Sequence, residues 1–303
     1  MWLRRFLLVL FALSIFYANA FSSEGDSIPN RKTGKIIFLS TESAVAAGSL
    51  IYLNQEWYKP YASSEFHLFN DDDEWLQMDK CGHSWTTYNS ARVLMQAANN
   101  IGFTRGQSRL IGGWSAFGYM TAIEFMDGFS SGWGFSWGDM AANFSGTMLA
   151  VAQDAFWNEQ RINLKFSFHQ SNYAQYRPNL LGSNLSEQIL KDYNGQTYWL
   201  SANISSFLKK ENKFPEWINV ALGYGAEGMI SGSNNYTISL ANGTVIGNDR
   251  YRKCFLSLDV DLTKIKTKSR FLKNVFSVLN CFKIPFPAME INKNGVKGHP
   301  FFF

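Results

Sequence analysis

Near residue 160 the hydrophobic period of this chain changes from about 3.6 residues to 2. From Lys35 to about Trp157 apolar residues recur at helical spacing, and from about Asn163 onward they alternate one by one. Side chains one turn apart share a face of a helix, whereas side chains two apart share a face of a strand. The two halves therefore call for different layers. The expected class is α+β: an N-terminal bundle of about four helices, then a C-terminal antiparallel β-sheet region.

Four helical segments are expected. The first is "GKIIFLSTESAVAAGSLIYLNQEWY", and the acidic stretch "NDDDEWLQM" separates it from a second at roughly 80–99. The third runs from Thr104 to Met126, with Thr104 and Gln107 spaced as a capping box. The fourth opens at Ser136, with Asp139 at the same capping-box spacing, and runs to about Trp157. "LIGGWSAFGYMTAIEFM" is the best candidate for a membrane span, with Gly112, Gly113, Ala116 and Gly118 allowing close helix contact. It is short and ends in carboxylates, which favours a compact bundle lying against a membrane.

The second half carries period-two runs, among them "NLKFSFHQ", "YWLSANISSF", "WINVALGYGAEGM" and "RKCFLSLDVDL". Asn242-Gly243 within "ISLANGTVI" is a hairpin signal. A short amphipathic helix is expected near 269–281. Such strands suit a half-buried sheet or an outer-membrane barrel. Only about five or six strands can be counted, fewer than the smallest such barrel needs, and Pro285, Pro287 and Pro300 spoil the last segment as a paired strand. The expectation is a sheet packed on the helices.

The opening "MWLRRFLLVLFALSIFYANA" has two arginines, a short apolar run and small residues at its end, the plan of a signal peptide over residues 1–20. Residues 21–34 read as a linker, 35–160 as the helical domain and 161–303 as the strand-rich region. No cysteine stands at the junction, so a lipid anchor is not supported. The expected location is the periplasm or outer membrane. Hydrophobic content of 46% with only 17% charged residues excludes disorder, and 16% aromatic residues suit an envelope or interfacial setting. The formal charge is +4, and Arg4 and Arg5 supply two of those charges. The remaining +2 is too little to argue for nucleic acid. Cys81, Cys254 and Cys281 form no metal motif; a Cys254–Cys281 bridge and three free thiols are both open.

"MDKCGH" puts Asp79 and His83 one turn apart, with Lys80 between them. Glu124 and Asp127 fall in the last turn of the third helix, where carboxylates face the negative end of the helix dipole at a cost of about 0.3–1 kcal/mol each. Gly128 follows as a candidate cap. Asp139 and Asn143 are one turn apart on the fourth helix, and Ser136 precedes them. Three successive helices thus carry polar pairs that a bundle could bring to one point. The catalytic candidates are His83 as base, Asp79 as its orienting partner, and Glu124, Asp127 and Asp139 as acids or ligands. Lys80, Ser136 and Asn143 would support them. Such a set could run acid–base hydrolysis, hold a hard cation such as Mg²⁺ or Ca²⁺, or form a salt-bridge network that merely fixes the bundle. One histidine is thin for zinc. There is no Gly-x-Ser-x-Gly elbow, phosphate-binding glycine loop or His-Glu-x-x-His pair.

"MDKCGH" followed by "EFMDGFSSGWGFSWGDMAANFSG" resembles the YfiM-like family, uncharacterised bacterial proteins labelled predicted periplasmic lipoproteins. The matching positions are Asp79, Lys80 and His83; Glu124, Asp127 and Gly128; and Gly134, Phe135, Ser136, Asp139, Ala142, Asn143 and Gly146. The chain is more loosely similar to VanZ-like membrane proteins. The resemblance covers roughly residues 75–155 and implies an envelope location without supplying a reaction or cofactor. The expected role is a structural or scaffold component of the envelope, the alternative being a hydrolase of an envelope lipid or glycan. Either would meet a membrane surface, an envelope lipid or a glycan as partner.

Overall fold

The computed structural model describes residues 31–302 except 60, 210, 212, 234, 235 and 248. The signal peptide and the linker up to residue 30 lie outside the described residues. The described chain forms two compact units: 31–71 with 83–160, and 72–82 with 161–302.

The first unit is helical. Helix α1 spans Arg31–Leu53, beginning inside the expected linker. Helix α2 spans Met78–Ile101, of which all but the first turn belongs here; α3 spans Arg105–Gly128 and α4 spans Trp137–Trp157. Thr104 closes the expected capping box: its Oγ1 accepts from the Gln107 amide at 3.2 Å, and its own amide donates to Gln107 Oε1 at 3.0 Å. Gly128 is not the cap of α3; Phe129 is. A Cβ at Gly128 would come within 2.4 Å of the Phe66 ring, so packing accounts for this glycine. Two other glycines set helix crossings. A Cβ at Gly112 would lie 2.6 Å from the Ala91 carbonyl oxygen, and one at Gly146 would lie 2.1 Å from that of Ser84. Thus α3 and α4 both approach α2 backbone to backbone. Phe38 of α1 is fully buried against Ala98 and Ile101 of α2.

Among the described residues one helix is long and apolar enough to cross a membrane, and it is Lys32–Leu53 rather than the segment in α3 singled out from the sequence. The "LIGGW" segment is better explained by its buried Gly112, Gly113 and Ala116, which serve helix packing.

The second unit is built on a six-stranded antiparallel sheet in the order β1-β2-β3-β6-β7-β8. The strands are β1 (Ile162–Phe168), β2 (Gln196–Asn203), β3 (Ile218–Glu227), β6 (Tyr251–Val260), β7 (Phe286–Asn292) and β8 (Gly295–Phe302). The Asn242-Gly243 turn joins the small hairpin of β4 (Ile238–Ser239) and β5 (Val245–Ile246), with Gly243 at φ +81°. Two short helices, α5 (Pro178–Leu181) and α6 (Leu185–Lys191), link β1 to β2. Helix α7 (Arg270–Leu279) is capped by Ser269, whose side chain accepts from the Leu272 amide.

Two expectations for this unit are corrected. The prolines do not prevent pairing of the last segment. Ala288 pairs with His299 and Phe286 with Phe302, so Pro300 and Phe301 together oppose Pro287. A bulge on the edge strand is where a sheet can spare a proline's missing amide hydrogen. The sense of the alternation is also reversed, because the polar face is the buried one. Asn163, Lys165, Ser201, Asn203, Asn219 and Asp259 are buried, while Leu200, Leu222, Leu256 and Leu258 are exposed.

The sheet curls around that polar interior. Lys165 on β1 meets Asp259 on β6, three places away in the sheet order, at 2.7 Å, with both side chains at zero exposure. Residues 281–283, just before β7, hydrogen-bond the outer edge of β1: the Phe166 amide donates to Cys281, and the Lys283 amide to Phe166. Trp199, Phe255 and Phe302 from three strands stack at the other level of the interior. All three cysteines are free thiols.

Candidate functional site

Four of the expected residues meet within the helical unit. His83 lies on α2, Glu124 in the last turn of α3, and Asp139 and Asn143 in the first two turns of α4. The Gly146 contact and a hydrogen bond from Ser84 Oγ to the Ala142 carbonyl at 3.0 Å fix α4 against α2 at this level. His83 Nδ1 is 3.1 Å from Asn143 Oδ1 and 3.4 Å from Glu124 Oε1, while its Nε2 is 4.0 Å from Asp139 Oδ2. A proton on Nδ1 would complete the contact to the Asn143 oxygen, since an amide oxygen only accepts. The imidazole bridges the three helices.

The acid and the amide of the centre are buried, and the imidazole is partly open. Glu124 is 1% exposed and Asn143 is fully buried, and His83 keeps 15% of its side-chain surface. Burial pushes the Glu124 carboxyl up to about 8, opposed by His83 and reinforced by Asp139 and Asp127. Glu124 therefore keeps its proton near neutrality. The Nδ2 group of Asn143 has no hydrogen-bond partner among the described residues.

Ser136 organises the approach from α3 to α4. Its hydroxyl oxygen accepts from the Asp139 amide at 3.1 Å, the expected N-cap. The return half of a capping box is made by Glu124 instead: the Ser136 amide donates to Glu124 Oε2 at 3.4 Å. Asp139 is thereby turned toward His83. The Ser136 hydroxyl in turn donates to Asp71 at 2.6 Å.

Asp127 makes a contact of its own. Asp127, one turn past Glu124, accepts from the Tyr58 hydroxyl at 2.7 Å. Burial and then Asp127 push that phenol well above its ordinary range. Asp79 and Lys80 fall in the first turn of α2, within the sheet unit, where Asp79 accepts from the Tyr193 hydroxyl at 2.6 Å. Asp79 lies one turn before His83 on the same helix face. Within the helical unit, His83 Nε2 and Asp139 Oδ2 are the donors a cation could bridge. Sequence reasoning missed Tyr58 and Asp71; each is a long-range partner with no local signal in its own segment.

It also missed a second polar cluster in the sheet unit. A cavity of about 580 Å³ is lined by His169, Glu227, Tyr251, Lys253, Glu290 and His299, among others. Glu227 accepts from Lys253 Nζ at 3.1 Å and from the Tyr251 hydroxyl at 3.0 Å, and His299 Nε2 lies 2.7 Å from Glu290. Burial, and then Lys253, pull His169 below its ordinary value. The available signal was the inward alternation of positions 251 and 253 on one strand and 290 and 292 on the next.

Residues 67–155 match the family model described as Predicted periplasmic lipoprotein (DUF2279). The match covers less than a third of the chain, and His83, Glu124, Asp139 and Asn143 all fall within it. It supports an uncharacterised family of the periplasm for this segment and fits an exported envelope protein. No curated protein and no solved structure matches the chain.

Proposed function

We propose, taking the periplasmic family match as the premise, that this chain is a structural component of the cell envelope whose helical unit is held by the His83–Glu124–Asp139–Asn143 centre. The observation that carries this is the convergence at the centre: a buried acid and a buried amide from two helices face one imidazole drawn from a third. Buried polar contacts between helices specify how the helices they join are packed. The YfiM-like and VanZ-like likenesses and an outer-membrane position belong to this reading and support a role at the membrane surface.

A second reading has one observation of its own. Glu124 holds a proton near neutrality beside His83, the pairing of environments that acid–base hydrolysis requires. In that reading His83 is the base, Asp79 orients it, Glu124, Asp127 and Asp139 are acids or cation ligands, and an envelope lipid or glycan is the substrate.

Thermal unfolding of His83→Ala separates the two. The structural reading expects the melting temperature to fall by roughly 3–6 °C, as a loss of about 2–4 kcal/mol would produce in a chain of this size. It also expects the unmodified protein to melt at the same temperature with and without added Mg²⁺, Ca²⁺ or Zn²⁺. A variant that keeps its melting temperature, or a parent stabilised by one of those ions, favours the second reading.

A further inference from the structure

The outward face of the curled sheet carries three registered rows of side chains. Leu164, Leu200, Leu222, Leu256 and Met289 stand opposite one another across five strands. On one side of this row lie Ala202, Val220 and Leu258. On the other lie Tyr198, Tyr224, Cys254, Ile291 and Val296. Leu222 is 59% exposed and Leu256 42% exposed, whereas the ionic pair Lys165–Asp259 sits wholly inside. A sheet in water turns its apolar face inward and its charges outward; polar inside and apolar outside is the pattern of strands that meet hydrocarbon.

The two borders of the apolar band differ. At one end Tyr198 and Tyr224 pack with Met78, and the Tyr224 hydroxyl donates to the Leu76 carbonyl at 2.5 Å, so that border is covered by the chain itself. At the other end Trp217 is exposed directly before β3, and its carbonyl accepts from the Asp261 amide, which brings the segment after β6 to the same end. That segment exposes Lys266, Lys268 and Arg270. Aromatic rings with a polar atom collect at a membrane–water boundary, and basic residues there meet anionic headgroups.

We propose that this face is seated against the acyl chains of an anionic phospholipid bilayer, with the Lys266–Arg270 end at the headgroups. The three rows carry no charged group and, beyond two tyrosine hydroxyls and one thiol, no hydrogen-bonding side chain that would fix the register of a protein partner, whereas fluid acyl chains need none. The inference deepens the envelope reading and does not depend on the polar centre of the helical unit.

Cys254 gives the test, because it is the exposed thiol on this face. Cys281 is buried, and burial followed by Asp79 pushes the Cys81 thiol up to about 11. The full chain is labelled at Cys254 with bimane, with Cys254→Ser as the labelling control, and mixed with vesicles of phosphatidylglycerol and phosphatidylcholine. Lipids bearing a nitroxide on the acyl chain should quench the label, and aqueous iodide should lose most of its access. Binding should be several-fold weaker to pure phosphatidylcholine and weaken with salt. Leu222→Asp with Leu256→Asp, checked for folding by circular dichroism, should abolish the nitroxide quenching. A chain that floats with vesicles while Cys254 stays open to iodide overturns the proposal and leaves the envelope reading intact, since another segment then makes the contact. A label shielded without vesicles, in step with protein concentration, also overturns it in favour of a second copy.

Discussion

The Ser136 amide donates to Glu124 Oε2, twelve residues back in the chain, so that α4 is capped in part by the last turn of α3. This bond explains why a carboxylate tolerates the unfavourable end of a helix dipole. Glu124 is buried, protonated near neutrality, and close to the positive end of the next helix. The cost that made it look misplaced in the sequence is largely removed by its proton.

The proton on Glu124 has a consequence for pH. Its folded value of about 8 lies above the ordinary carboxyl value of 4.5. Between these two the native state binds a proton that the unfolded chain releases, so stability falls as pH rises. The slope should approach about 1.4 kcal/mol per pH unit within that window and vanish above it. Urea unfolding from pH 5 to pH 9 should show this decline, and Glu124→Gln should flatten it. An unchanged slope in the variant would assign the proton elsewhere.

The buried Lys165–Asp259 pair makes a prediction for the sheet unit. Lys165→Met takes from Asp259 its direct ion partner, leaving Lys283 as the nearby cation, and should cost up to about 3–5 kcal/mol. Lys165→Met combined with Asp259→Leu should recover most of that loss, because a well-packed apolar pair avoids desolvation. The two unfolding free energies decide it. A double variant less stable than the single one would mean that the partners of Asp259, Ser201 Oγ at 2.7 Å and the Ile284 amide at 3.1 Å, matter more than the charge.

Glycines of the helical unit should respond unequally to alanine. Gly146→Ala places a methyl against the Ser84 carbonyl and should destabilise by about 1–3 kcal/mol as the helices move apart. Gly118→Ala meets nothing within 4 Å and should stabilise by up to about 1 kcal/mol through helix propensity. Equal effects from calorimetry would contradict the close crossing of α2 and α4.

Much of this architecture was legible because it is written locally. The Thr104–Gln107 box, the Ser136 cap and the Asn242-Gly243 turn depend on residues a few places apart, and the change of period divides helices from strands. The meeting of His83, Glu124 and Asp139 was legible because each sits at one-turn spacing on a successive helix. Tyr58 and Asp71 were not, since their partners lie 69 and 65 residues away. The sheet's inverted sense was illegible for a different reason. Alternation tells which residues share a face, but burial of that face depends on curvature and on what surrounds it. The Pro300 bulge was likewise hidden, because a proline in an edge strand is harmful or harmless according to its register.

The account turns on the imidazole binding three helices into one fold, and a double-mutant cycle across His83 and Asn143 tests it most directly. His83→Ala, Asn143→Ala and the double variant are unfolded in urea at one pH. The bridging geometry predicts a coupling of about 1–3 kcal/mol, the double variant losing less than the sum of the singles. Losses that add to within about 0.5 kcal/mol would contradict it.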